Sequence, residues 1–478
     1  MQNETRRVSQ RFFAPCAWVR GAWARQVLLS VDEHGNWHGV EPDSPPPADP
    51  TVTVLDGPLL PGLVNAHSHA FQRAIAGLTE FRGDARTAVG DDFWSWRDRM
   101  YSVARRITPE QLERIAALLY AELLAGGYTQ VCEFHYLHNA VDGRPYADPL
   151  ELSLALVRAA QRVGIGLTLL PALYMRSGFG AAGLRDDQRR FASTPDSVLR
   201  LVEGVRALAA TLSGVNAGVA LHSLRAADAG ALAEVAAFAA DGGLPIHIHV
   251  AEQAQEVRDC VAHTGQRPIA WLVDHLPVDA RWNLVHATHA TPAELQAVAA
   301  CGASIVICPS TEANLGDGVF DLSCYVGSAG RWSIGSDSHV TRRWSEELRL
   351  LEYGQRLTQQ RRNVAAQFGR SASCGAALFE AALAGGAPAT GRALGAIEVG
   401  CRADFLVLDR HCPALLGVPA EQLLDALVFS SPDATIAEVF VAGQRRVAGG
   451  RASGNESEFG LWPALAEDFV RTMKVLWA

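Results

Sequence analysis

The stretch Leu60-Pro61-Gly62-Leu63-Val64-Asn65-Ala66-His67-Ser68-His69 decides how the rest of the chain is read. An apolar run of strand length ends in two histidines separated by a serine. Residues two apart on an extended strand point the same way, so His67 and His69 can converge on one metal ion. From Leu59 onward the same design recurs, apolar runs of strand length alternating with alanine- and leucine-rich helical segments. The strand candidates span 63–67, 129–136, 166–172, 218–222, 245–249, 283–286, 304–308 and 333–335. Eight strands alternating with helices is the count of a (β/α)8 barrel, although a doubly wound sheet also alternates. The polar residues decide more. Nearly every strand candidate ends in a histidine, an acid or a hydroxyl: His67 and His69, Glu133 and His135, His222, His249 and Glu252, His286, Ser310 and Thr311, Asp337. A barrel gathers the C-terminal ends of its strands around one mouth, where its active site lies.

Outside that region the pattern changes. Residues 13–18, 25–31 and 51–55 read as short strands, with a proline-rich loop over 42–50. After helices over 344–360 and 372–383, the tail reads as strands over 404–408 and 436–441, and then as an amphipathic helix over 462–477. Neither end is large enough to bury a good core alone. Residues 1–57 and 384–478 are therefore expected to form the two parts of a small composite β-sandwich, the second part carrying the C-terminal helix. Residues 58–383 form the α/β, TIM-like barrel between them.

The 478 residues carry 42 Lys and Arg against 51 Asp and Glu, a net charge of -9, with no basic block. That disfavours nucleic acid, whose binding needs a positive stripe, but leaves room for a small anion held by an arginine or two. Lys474 is the only lysine. A phosphate loop ending in lysine, a Schiff-base lysine inside the fold and a carbamylated lysine bridging two metals are all excluded. A single-ion site remains. Nine widely spaced cysteines, an odd number, read as reduced thiols in a cytoplasmic protein. The polar start MQNETRRVSQRFF lacks a signal-peptide core, and no apolar run reaches the ~20 residues needed to span a bilayer; no membrane partner is expected.

Three further segments extend the metal reading. In His247-Ile248-His249-Val250-Ala251-Glu252 both histidines share a face. His249 lies nearer the mouth and is the preferred ligand, with His247 its competitor. Asn283-Leu284-Val285-His286 places His286 at the end of the sixth strand, and Ile334-Gly335-Ser336-Asp337-Ser338-His339 supplies Asp337 at the end of the eighth. Three imidazoles and one carboxylate (His67, His69, His249 and Asp337) suit one divalent ion, zinc or another borderline metal. Such an ion makes a bound water acidic enough to attack near neutral pH.

Beyond these motifs, HSHAFQR (67–73), FWSWRDRM (93–100), CEFHYLH (132–138), HSLR (222–225), HIHVAEQ (247–253), LVHATH (284–289) and GSDSH (335–339) can be compared with known families. Together they resemble the amidohydrolase superfamily, in its mononuclear deaminase branch, and within that branch the N-formimino-L-glutamate deiminases. The similarity runs from about 59 to 407. The tail over 395–409 resembles the second half of that family's composite β domain, with Cys401 or Arg402 where a lysine is usual. The resemblance implies hydrolysis of a formimino group to a formyl group and ammonia in histidine degradation, with zinc usual, by a cytoplasmic homodimer.

For such a reaction Glu252, three residues beyond His249, can carry a proton from water to the departing nitrogen. His286 can orient or polarise the water, and Asp337 can add proton acceptance to metal ligation. The implied substrate is a small dianion, so cations should converge on it. By resemblance His222 and Arg225 hold a carboxylate, while a surface pairing of Arg225 with Asp228 is the alternative. Arg97, amid Phe93, Trp94 and Trp96 in the long insertion, can meet a carboxylate; Arg99, or simple rim packing, competes with it. Gln72 and Tyr136 are placed at the substrate by resemblance. The main alternative function is deamination of an aromatic ring such as guanine, another purine or a triazine, by the same metal, Glu252 and His286. A metal-dependent amide hydrolase and a non-catalytic barrel are the others.

Overall fold

The computed structural model describes residues 7–80, 93–369, 371–431, 435–452 and 460–477. Eight parallel strands pair in chain order. They are Leu63–Ser68, Tyr128–His135, Gly166–Leu173, Val219–Ser223, Ile246–Val250, Trp282–His286, Ser304–Ile307 and Arg331–Ile334. A parallel bridge between Ser68 and Asp337 joins the last strand to the first. It is carried by Asp337 N–H donating to the His67 carbonyl at 3.0 Å and His69 N–H donating to the Asp337 carbonyl at 3.3 Å. Gly335 permits this closure, because a Cβ there would stand 2.6 Å from the His67 Cβ and 2.9 Å from its backbone nitrogen. The arrangement is the (β/α)8 barrel of the sequence reading. Its strands are buried along almost their whole length, as parallel strands covered on both faces must be.

The helices begin where local chemistry tells them to. Thr108, Thr194 and Thr291 each accept the N3 backbone N–H ahead of Pro109–Ala125, Pro195–Ala209 and Pro292–Ala300, all with proline in the first turn. Asp228 does the same for Ala229–Asp241, accepting from Ala231 N–H. These side-chain caps satisfy backbone donors that the helix itself leaves unpaired. The helix Cys374–Thr390 packs on the strands Arg331–Ile334 and Leu63–Ser68, so barrel packing continues past residue 383.

The chain ends meet in one nine-stranded sheet. Leu59–Pro61 pairs antiparallel with Phe405–Leu408 and parallel with Val8–Val19, interleaving segments more than 300 residues apart. Phe12, Val27, Leu29, Trp37, Phe405 and Phe440 form a core of its own, with the rings of Phe405 and Phe440 stacked at 4.3 Å. The strand expected over 51–55 shrinks to Thr53–Val54, since Asp49 accepts from the backbone N–H of Thr51 and turns the chain there. The C-terminal helix runs Trp462–Leu476. All nine cysteines are unpaired. Among the described residues no helix is long and apolar enough to cross a membrane.

Candidate active site

His67 and His69 leave the first strand into a buried cluster that the fifth, sixth and eighth strands complete. His69 Nδ1 donates to the Phe134 carbonyl at 2.8 Å, and His249 Nδ1 donates to the His222 carbonyl at 3.0 Å. Each bond fixes the tautomer and leaves an Nε2 lone pair facing the centre. Burial and the neighbouring imidazoles hold His67 and His249 well below the usual histidine value. Burial also lowers His69, against the pull of Asp337. Neutral imidazole is the ligating form.

The spacing fits one ion. His67 Nε2 lies 3.0 Å from His249 Nε2, a separation that two ligands of one cation can adopt. Asp337 Oδ1 lies 3.4 Å from His67 Nε2 and 3.5 Å from His69 Nε2. Tetrahedral zinc ligands at about 2.0–2.1 Å stand roughly 3.3 Å apart. Ligand atoms lie within 4.8 Å of one another in two triads that share His67, namely His67, His69 and Asp337, and His67, His249 and His286. His247, the competitor to His249, is turned away and donates from Nε2 to the Ala389 carbonyl at 2.8 Å.

His286 is in reach of the cluster but surrounded by carboxylates. Its Nδ1 is 3.3 Å from Glu312 Oε1, and its Nε2 is 3.7 Å from Asp337 Oδ2 and 3.9 Å from Glu252 Oε1. Burial works against the imidazolium, but Glu252, Glu312 and Asp337 outweigh it and push His286 up to about 10. Its ring nitrogen also stands within 4.8 Å of ligand atoms of His67 and His249, so the position can serve either metal ligation or proton donation. Burial raises the Glu252 carboxyl, while His286 and Arg225 pull it back down. The backbone here is strained. His286, Ala287 and Asp337 have φ of 70°, 52° and 44°, left-handed conformations that cost non-glycine residues about 1–3 kcal/mol each.

His69, His249, Glu252, His286 and Asp337 form the floor of a pocket whose walls include Gln72, Tyr136, His222, Arg97 and Arg225. Every residue named for substrate binding from the sequence therefore lines one cavity, with His67 buried beneath it. Arg225 does not pair with Asp228, which caps a helix instead. Its Nη1 is buried without a partner among the described residues, and its guanidinium lies 6.0 Å from the Phe93 ring centroid and 5.8 Å from that of Trp94. Arg97 stacks on Trp94 at 4.5 Å and Tyr101 at 5.4 Å, its Nε likewise buried without a partner among the described residues. Arg99 donates to the Thr79 carbonyl and does not line the pocket. Gln72 Nε2 donates to Tyr136 Oη at 3.1 Å, leaving Gln72 Oε1 buried without a partner among the described residues. Residues 81–92 of the insertion lie outside the described residues.

Three supporting residues escaped the sequence reading. Glu312 orients His286, and its Oε1 also accepts from Cys308 N–H at 2.9 Å. Glu133, noted only as an acid at a strand end, accepts from Ser68 Oγ and Ala70 N–H, both at 2.6 Å, and so sets the loop that carries His69. Burial pushes its carboxyl up to about 8. Arg176 pins the loop bearing Arg225 by donating to the carbonyls of Leu224, Arg225 and Ala227 at 3.1, 3.2 and 2.8 Å. Only the hydroxyls and acids near the strand ends hinted at this layer. His339 also supports the site, its Nε2 donating to the His69 carbonyl at 3.1 Å.

Known proteins share this architecture. A formimidoylglutamate deiminase of Pseudomonas aeruginosa is 47% identical over 444 residues, covering 93% of this chain and 96% of its own. Among solved structures, an amidohydrolase from Brucella melitensis superposes with a TM-score of 0.90 at 40% identity, over 98% of this chain and 100% of that one. An adenosine deaminase from Xanthomonas campestris with bound zinc superposes at 0.79 with 22% identity, over 98% and 99%, a likeness of fold. The sequence model of the amidohydrolase family matches residues 59–446. With the barrel, its buried histidine cluster and a near-full-length relative in agreement, the chain belongs to the amidohydrolase family.

Proposed function

We propose that the protein hydrolyses the formimino group of N-formimino-L-glutamate to give N-formyl-L-glutamate and ammonia, a step of histidine degradation. One observation carries the choice of substrate among C=N compounds. Two guanidiniums, Arg97 and Arg225, overhang the pocket with buried N–H groups that nothing described in the protein satisfies. Such donors suit a flexible dicarboxylate, because a guanidinium takes a carboxylate in a two-pronged bond. The 47% identity with a formimidoylglutamate deiminase supports the same substrate.

A single divalent ion, zinc by the donor set of His67, His69, His249 and Asp337, would activate water and polarise the reacting carbon when bound. As the C=N bond gives way to C=O, two protons must pass from water to the leaving nitrogen. Glu252, buried at 6% exposure, takes a proton from water on its carboxylate and delivers it to that nitrogen. His286 holds a proton at Nε2 toward the attacking oxygen, steadied at Nδ1 by Glu312. Asp337 Oδ2, 3.7 Å from His286 Nε2, accepts the second proton on its way to nitrogen. Gln72 Oε1 and Tyr136 Oη receive the N–H groups of the formimino end. Phe93, Trp96 and Tyr101 line the pocket and give it an apolar wall. A cytoplasmic homodimer belongs to this same reading through the resemblance.

Ammonia release tests the proposal. Turnover of N-formimino-L-glutamate should exceed that of guanine and of methylthioadenosine by orders of magnitude in kcat/KM. Turnover confined to the ring compounds would reject the substrate and leave the chemistry of the floor intact.

A further inference from the structure

At the opposite end of the barrel from the pocket, a cleft of about 760 Å3 lies between the start of the third strand, the segment 211–215 and the sheet built by the chain ends. Three arginines line it, Arg392, Arg402 and Arg446, and among the described residues no aspartate or glutamate does. This is unusual ground in a chain of net charge -9.

Each guanidinium has a donor left over. Arg402, 8% exposed, binds Asp404 through Nε at 2.9 Å and the Thr129 carbonyl through Nη2 at 3.3 Å, while its Nη1 is buried without a partner among the described residues. Arg392 spends Nη2 on the Ser213 carbonyl at 2.9 Å and keeps a buried Nη1 without a partner among the described residues. Arg446 Nε is likewise buried without a partner among the described residues. Burial presses the Arg446 guanidinium below its usual value, with no carboxylate opposing it. Arg392 is lowered by burial and by the charge of Arg402. Two glycines make room for this convergence. A Cβ on Gly164 would stand 2.5 Å from Arg446 Nε, and one on Gly166 would stand 1.8 Å from Gln130 Oε1 and 2.7 Å from Arg402 Nη1.

Three arginines thus line one space, and among the described residues Asp404 is the only carboxylate bonded to any of them, taken by Arg402. Buried cationic donors without acceptors are destabilising, and like charges repel. A bound oxyanion removes both penalties, since guanidinium forks match phosphate and carboxylate oxygens. We propose that this cleft binds a small dianion, a phosphate or a dicarboxylate, and that the bound dianion ties the end-built sheet to the barrel. Arg392 follows a barrel helix and Arg446 sits on the sheet strand Gln444–Ala448, so one ligand would bridge both bodies. The inference stands apart from the deiminase reading and does not depend on it.

The test uses the full-length protein at constant ionic strength set with chloride. Phosphate and succinate are titrated separately, followed by melting temperature and by titration calorimetry. One of them is expected to raise the melting temperature saturably. Arg446→Met or Arg392→Met should weaken that binding at least tenfold and leave ammonia release unchanged. Binding in the catalytic pocket is separated with Arg225→Met, which should keep the cleft's binding intact. Phosphate alone, or succinate alone, would support the site and name its ligand class. No saturable binding of either anion, or equal binding by wild type, Arg446→Met and Arg392→Met, would overturn the proposal.

Discussion

His138 offers a direct measure of how strongly this barrel enforces neutral imidazoles. It follows the second strand at 7% exposure, and its Nε2 donates to the Ala172 carbonyl at 2.9 Å. Its Nδ1 is buried without a partner among the described residues. Burial lowers it from 6.5 to about 4, against the small upward pull of the Ala172 bond. The folded value lies below the unfolded one, so between pH 6.5 and 4 the unfolded chain binds the extra proton. The stability tied to a neutral His138 is therefore complete above pH 6.5 and drains away as the pH falls through that window. At about 1.36 kcal/mol per pH unit, the full shift corresponds to roughly 3 kcal/mol, of which about 2 kcal/mol is lost between pH 7 and pH 5. His138→Gln retains an N–H donor at the position of Nε2 and cannot titrate. Urea unfolding of both proteins across that range reads the difference. The variant should gain about 2 kcal/mol relative to wild type on going from pH 7 to pH 5. Parallel stability curves would refute the reasoning, because they would mean that His138 is protonated equally in both states.

Two further substitutions probe the pocket. Glu252→Gln should lower kcat roughly a hundred- to ten-thousand-fold, the usual reach of general acid–base catalysis, with KM within a few-fold and bound metal unchanged; a kcat close to wild type would remove Glu252 from proton transfer. Arg225→Met should reduce kcat/KM for N-formimino-L-glutamate by roughly 10- to 150-fold, equivalent to the 1.5–3 kcal/mol of a charged hydrogen bond. Of two analogues each lacking one carboxylate, one should escape that loss, and equal losses on both would show that Arg225 holds neither.

The floor of the site was legible because the signal was local. His67 and His69, His249 with Glu252, His286 and Asp337 all sit where an apolar run ends, and the barrel rule brings such ends together. Periodicity alone did not separate His249 from His247, since both lie on one face. The structure separates them because His247 is deeper and finds the Ala389 carbonyl on the helix Cys374–Thr390. The second layer was not legible for a different reason. Glu312 matters through its distance to a side chain 26 residues earlier, and Arg176 through carbonyls of a loop 48 residues later. Neither leaves a repeating pattern in the chain. The Ser68–Asp337 bridge, which shuts the barrel and sets the ligand spacing, depends on Gly335, whose need for smallness appears only once His67 lies against it. The arginine cleft is assembled from five separated segments around 34–36, 164, 213, 392–402 and 446, each unremarkable by itself. At the chain ends the strands over 13–18, 25–31, 404–408 and 436–441 were legible, Trp37–Glu41 and Gln444–Ala448 were not, and the pairing order follows from the shared strand Leu59–Pro61.

The most direct test of the account is a crystal structure of the zinc-loaded protein with N-formyl-L-glutamate, with diffraction measured on both sides of the zinc absorption edge. The account predicts one anomalous peak enclosed by His67, His69, His249 and Asp337, the formyl end of the ligand against Glu252, and its carboxylates on Arg97 and Arg225. A peak elsewhere, or a ligand whose formyl end turns away from Glu252, would contradict it.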